Sequence, residues 1–221
     1  MNFIRVGRAV TIVALVSLAG VYVQAFGHTP VERVQGVAQK IMYVHVPAAW
    51  TTMLAVALVG LASILFLLIK DQRYDRFAAA SAEVGIVFAV VMLTTGPLWA
   101  KPVWGTWWTW DARLTFTLFL FLILVGYQLL RGAVTDSGLR ARYAAVLGIC
   151  ALVLLPYIHL SVYLFRTLHP RPVVLRPEGP QLPGEMLTTL LLSVGVFTLL
   201  AVGFLLQRYG IGAEREDATH G

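Results

Sequence analysis

The side chains with the most chemistry in this sequence are five histidines and six tryptophans. Imidazole binds metals and titrates near neutral pH. Indole offers a broad apolar face with one N–H donor. Five of the tryptophans, Trp99, Trp104, Trp107, Trp108 and Trp110, fall in the single run from Gly96 to Thr115. An aromatic belt at headgroup depth accounts for one or two tryptophans at a helix end. Five in one segment read instead as a platform for a large planar ligand, each offset ring contact adding about 0.5–1.5 kcal/mol beyond burial. Asp111 and Arg113 close the run, placed to orient it or to meet polar groups of that ligand. His45 stands in Met42-Tyr43-Val44-His45-Val46-Pro47-Ala48-Ala49-Trp50, and His169 in Arg166-Thr167-Leu168-His169-Pro170. His28 and His220 read as solvated loop and tail residues. Cys150 is the sole cysteine, which excludes an internal disulfide framework, and no C-x-x-C-H is present for covalent haem attachment.

The elements that must position these residues follow from composition. The chain is 58% hydrophobic and 13% charged, with mean hydropathy +0.77. Soluble domains run about 45–50% apolar and about 25% charged, so a soluble domain and a disordered chain are both excluded. Six apolar stretches approach the ~20 residues that cross a bilayer: Ala9–Phe26, Val46–Ile69, Phe77–Trp99, Thr115–Leu130, Tyr143–Phe165 and Met186–Leu206. The alternation of a membrane barrel is absent. The expected fold is an all-α integral membrane protein with six transmembrane helices, forming one domain over 1–221. The tryptophan segment 96–115 lies on its outer face, and a short mobile tail covers 208–221. Five prolines between Thr167 and Gly184 predict an extended outer loop. Arg5 and Arg8 precede the first span as in a signal peptide, but Val23-Gln24-Ala25 is a poor cleavage site, so this span reads as an uncleaved anchor.

The net charge of +6 and pI near 9.8 read as basic cytoplasmic loops rather than nucleic-acid binding. With both termini cytoplasmic, ten of the 17 Lys and Arg face inward, including Lys70, Arg73 and Arg76 in a compact polar loop. Seven then stand outside, where a reason for them is needed. Span parity puts His45, the tryptophan run and His169 on that same outer face. Two histidines flanking an aromatic platform suit six-coordinate haem iron, which takes axial imidazoles. Each histidine alone could equally be a helix-end residue bonded to backbone or water. Haem carries two propionates, and Lys101, Arg113, Arg166 and Arg171 lie near the candidate ligands. A charge-assisted pair is worth roughly 1.5–3 kcal/mol; headgroup contact or solvation would also account for any one of them. His159 lies in the fifth span, ten residues before His169, or about 15 Å deeper along a helix. It reads either as a neutral histidine bonded across helices near Pro156, or as a relay or second haem position.

The run Trp104-Gly105-Thr106-Trp107-Trp108-Thr109-Trp110-Asp111-Ala112-Arg113-Leu114-Thr115 resembles the WWD signature of the haem-handling proteins of cytochrome c biogenesis. Within that superfamily, Met42–Trp50 resembles the first histidine motif of the CcmC family, the haem exporter proteins C. Pro156–Val162 followed by Thr167–Pro170 resembles the second. The likeness covers roughly Val37–Pro170. At one place the chain departs from it: Leu164 and Phe165 stand where a tryptophan pair is expected. The resemblance implies a non-enzymatic factor of the bacterial inner membrane that holds haem b, transiently and non-covalently, at the periplasmic face. It makes His45 and His169 the axial ligands, with Trp99, Trp104, Trp107, Trp108, Trp110 and Asp111 as the platform. It also implies delivery to the periplasmic haem chaperone CcmE, in company with CcmD and the ABC-type pair CcmA and CcmB. Two other classes remain open on the residues: a haem b-containing membrane oxidoreductase and a haem-transporting channel subunit. The chain has no G-x-x-x-x-G-K-[ST], so an ATP-driven step requires a partner.

Overall fold

The computed structural model describes residues 2–174 and 176–220; the side chain of His220 lies outside the described residues. Its six helices are α1 (Phe3–Val23), α2 (Met42–Ile69), α3 (Gln72–Trp104), α4 (Ala112–Ala133), α5 (Ser137–Leu164) and α6 (Gly184–His220). A π-helical turn, Gln24–His28, prolongs α1, and a 3-10 turn, Val37–Ile41, leads into α2. All six helices are long and apolar enough to cross a membrane. The fold is thus all-α with six spans, as the hydropathy predicts.

Local chemistry sets the helix ends. Asp71, Asp111 and Asp136 sit in extended conformation before α3, α4 and α5. Their carboxylates accept the orphan backbone N–H groups of Arg73, Leu114 and Leu139 at 2.9, 3.1 and 2.7 Å. α3 ends at Gly105, whose φ of 77° lies in the left-handed region that glycine enters without steric cost.

These caps move several expected boundaries. Because Asp71 caps α3, only Lys70 and Asp71 of the expected 70–76 loop remain outside helix. α3 passes through Pro97 and Pro102 and takes the first part of the tryptophan run into the helix. α2 begins at Met42, so His45 lies in its first turn and not in the loop before it. The tail after Arg208 continues α6 as helix. Three of its side chains meet other helices: Arg208 pairs with Glu83, Arg76 donates to Glu216 at 2.9 Å, and Tyr209 lies under the Arg76 guanidinium at 4.8 Å.

α2 is the central helix, packed against α3, α5 and α6; α1 lies on α6, and α4 lies against α3 and α5. One apolar core (Ala14, Ala48, Phe88, Met92, Phe197) joins α1, α2, α3 and α6. A second (Val56, Val59, Leu120, Leu124, Ile158) joins α2, α4 and α5. Close approach of α2 and α5 depends on small residues: a Cβ at Gly148 would run into Ser63, and one at Gly60 into Leu152. Outside the cores, large apolar side chains such as Ile12, Val16, Leu68 and Leu129 are exposed, as a lipid-facing surface requires. Neighbouring helices run antiparallel, so the loops 29–41, 105–111 and 165–183 share one end of the bundle with His45.

Candidate functional site

At that end four segments meet: the first turn of α2, the last turns of α3, the start of α4 and the loop after α5. His45 projects from α2 onto α3. A Cβ at Gly96 would stand 3.1 Å from the His45 Cε1, so glycine lets the imidazole lie close to the α3 backbone. His45 Nδ1 is 3.1 Å from Thr95 Oγ1. The Thr95 hydroxyl already donates to the Val91 carbonyl at 2.7 Å, so it receives from His45. Nδ1 therefore carries the proton, and Nε2 is left with an unshared lone pair. Trp99 meets the imidazole edge-on at 5.9 Å, and its own N–H donates to Gln35 Oε1 at 2.9 Å.

His169 repeats this arrangement with backbone partners. Its backbone N–H donates to Thr167 Oγ1 at 3.1 Å. Its Nδ1–H donates to the Pro170 carbonyl at 2.9 Å, which again leaves Nε2 without a partner among the described residues. Burial and the nearby Arg113 charge lower the His169 pKa to about 4; Pro170 opposes the shift, His45 adds to it, and Asp111 opposes it. The imidazole is thus neutral at pH 7, the form that coordinates a metal. The same influences place His45, Arg113 and Asp111 in the neighbourhood of His169. Engaging one imidazole nitrogen in the protein while freeing the other is how metal-binding histidines are held.

Residues 105–111 form an irregular segment between α3 and α4. Trp108 and Trp110 meet edge-on at 5.8 Å. Trp107 and Trp110 are 54% and 76% exposed, and Trp104 is also exposed. Trp108 is half-buried, and its indole N–H is hidden from solvent without an acceptor among the described residues, an orphan that calls for a partner. Asp111 is spent on structure: one oxygen caps α4 and the other accepts the Thr109 hydroxyl at 2.9 Å. Of the two roles open to Asp111, the observed one is orienting the segment.

The four candidate cations separate into two groups. Arg113 is half-buried and donates to the Ile158 carbonyl of α5 at 3.4 Å. Lys101, Arg166 and Arg171 are exposed. Lys101 donates to the Gly105 carbonyl at 3.0 Å, and Arg171 lies 5.3 Å over the Tyr163 ring. His159 differs from expectation. α5 ends at Leu164, so His159 stands about 7.5 Å from the helix end, and only the first half of the ten-residue spacing to His169 is helical. It is exposed on the flank of α5 beside Tyr163, with no hydrogen bond among the described residues.

Sequence reasoning misses Thr95, Gly96, Gln35 and Thr167. A hydroxyl and a glycine one turn before Trp99 are a visible signal, but the partner of Thr95 lies 50 residues away. The donor set fits haem: two imidazoles with Nε2 and an indole N–H without partners among the described residues, exposed indole faces, and a half-buried guanidinium suited to a carboxylate.

The family described as Heme exporter protein C matches residues 3–219. The Heme exporter protein C of Haemophilus influenzae is 36% identical over 92% of this chain and 83% of its own length. That of Bradyrhizobium diazoefficiens is 41% identical over 83% of this chain and 69% of its own. That of Escherichia coli K12 is 40% identical over 72% and 64%. With six helices long and apolar enough to cross a membrane and a match along nearly its whole length, the chain belongs to the Heme exporter protein C family.

Proposed function

We propose that this chain is a haem-presenting factor of c-type cytochrome biogenesis, holding haem b transiently between Nε2 of His45 and Nε2 of His169. The observation that carries the reading is the matched state of the two imidazoles. In each, Nδ1–H is committed to a protein acceptor and Nε2 is free. Trp104, Trp107, Trp108 and Trp110 supply apolar faces for the porphyrin ring, and Trp99 holds His45 in place. Arg113 is the cation best set to meet a propionate, with Lys101, Arg166 and Arg171 available nearer solvent. Haem is cargo here, and the chain itself makes or breaks no covalent bond. The site faces the periplasm from the bacterial inner membrane, with both termini cytoplasmic. It passes haem to the chaperone CcmE, with CcmD, CcmA and CcmB as membrane partners and CcmA and CcmB supplying any ATP-driven step.

The test is the visible spectrum of the purified full chain in mild detergent, beside His45→Ala and His169→Ala. The wild type is expected to show the Soret band of a six-coordinate haem, and each variant a five-coordinate spectrum or loss of haem. Unchanged spectra in both variants refute the ligand assignment.

A further inference from the structure

The end of the bundle opposite the histidines holds a second polar site. A cavity of about 370 Å³ opens there between α3, α4, α5 and α6. Five arginines line it, Arg76, Arg131, Arg140, Arg208 and Arg215, with only Glu83 and Glu216 as acids. Three of the five are committed. Arg131 clasps Asp75 through two bonds of 2.6 and 2.9 Å, Arg76 holds Glu216 at 2.9 Å, and Arg208 holds Glu83. Arg140 and Arg215 have no side-chain ion pair or hydrogen bond among the described residues, and Arg140 is half-buried. The cavity therefore carries two positive charges in excess after Asp75, Glu83 and Glu216 are counted.

A guanidinium withdrawn from water without an acceptor is costly. Its planar fork is matched by the paired oxygens of a phosphate. The rest of the lining includes Ala79, Ala80 and Ile211, which gives the cavity an apolar wall beside its charges. The cavity also lies where spanning helices leave the membrane, since the Arg131 and Arg140 ends of α4 and α5 flank a three-residue turn. Basic pockets between spanning helices at this level take anionic lipid headgroups.

We propose that this cavity binds the headgroup of an anionic phospholipid bearing two phosphodiesters, of the cardiolipin type. Arg140 and Arg215 supply the two uncompensated charges that meet the two phosphates. The already paired arginines keep the walls in place, so the site stands ready without rearrangement.

The experiment is native mass spectrometry of the full chain in detergent, titrated separately with cardiolipin, phosphatidylcholine and inorganic pyrophosphate. The variants are Arg140→Ala/Arg215→Ala and a charge-matched control, Arg5→Ala/Arg142→Ala, whose exposed arginines lie outside the cavity. One tightly bound cardiolipin per chain is expected, with phosphatidylcholine much weaker. Its affinity should fall by about tenfold for each cavity arginine removed and stay within about twofold in the control. Neither variant removes a partnered group, so the haem spectrum should be unchanged in both. Equal weakening in the control variant would reduce the effect to surface charge and overturn the built site. Pyrophosphate binding as tight as cardiolipin would overturn the lipid assignment, and cardiolipin indistinguishable from phosphatidylcholine would overturn both.

Discussion

Thr95→Val isolates the one side chain that sets the tautomer of His45. The substitution keeps the shape of the residue and removes only the hydroxyl. Three hydrogen-bond contacts are lost: the 3.1 Å contact with His45 Nδ1, the 2.7 Å bond from Thr95 to Val91 and its longer 3.4 Å branch to Met92. The second is local to the helix and its loss costs little, because the Val91 carbonyl keeps its helical partner. The first leaves the half-buried Nδ1–H with the Met92 carbonyl as its remaining acceptor, or lets the proton move to Nε2, the nitrogen proposed to meet the iron. A neutral hydrogen bond is worth about 0.5–1.5 kcal/mol. Removing the outer partner of a metal-bound histidine costs roughly 10–100-fold in affinity. We therefore expect haem to bind about tenfold more weakly to Thr95→Val, with normal folding. Thr95→Ser, which restores the hydroxyl, should bind within about twofold of wild type. The assay is haem titration of the apo-protein in detergent, followed at the Soret band, with electron paramagnetic resonance of the ferric form to report ligand orientation. Wild-type affinity and signal in Thr95→Val would refute the tautomer argument. Equal loss in Thr95→Ser would show that the methyl packing, and not the hydroxyl, matters.

Three further outcomes follow from the geometry. The His169 pKa is lowered to about 4, below the unfolded value near 6.5. Between these values the unfolded chain binds a proton that the native imidazole refuses, so stability rises with pH across that window and is lost on acidification. Melting temperatures of the apo-protein should thus fall from pH 7 to pH 5 more steeply for wild type than for His169→Gln, and parallel curves would contradict the burial of this imidazole. Arg131→Ala should destabilise the bundle by about 3–5 kcal/mol because it strands the Asp75 carboxylate; thermal melts should show Asp75→Asn/Arg131→Gln to be less harmful. Gly105→Ala forces a Cβ into a left-handed conformation at the end of α3, at a cost of about 1 kcal/mol, and should shift the tryptophan fluorescence of the following segment.

Six runs of apolar residues long enough for a bilayer admit only helices, because backbone groups in lipid must bond within their own segment. That constraint is local, so the span count and the all-α class are legible in the residues alone. The same holds for His45, His169 and the tryptophan run, whose shared face follows from counting crossings. Helix ends are less legible, since Asp71 and Asp111 act as caps only when the backbone on either side turns appropriately. The charged composition of the tail suggests mobility, yet other helices supply its partners, Glu83, Arg76 and Phe3, and hold it in α6. The ten-residue spacing from His159 to His169 suggests depth only if it is helical throughout, and α5 ends at Leu164. Tertiary structure alone decides which nitrogen of each imidazole is free. That depends on Thr95, 50 residues from His45, and on a backbone carbonyl presented by a proline-rich loop. Composition and period therefore determine the helices and the end of the bundle where the histidines gather. Packing decides the partners, because a hydrogen bond between distant residues depends on helix register to within a few tenths of an ångström, and hydropathy carries no information at that scale.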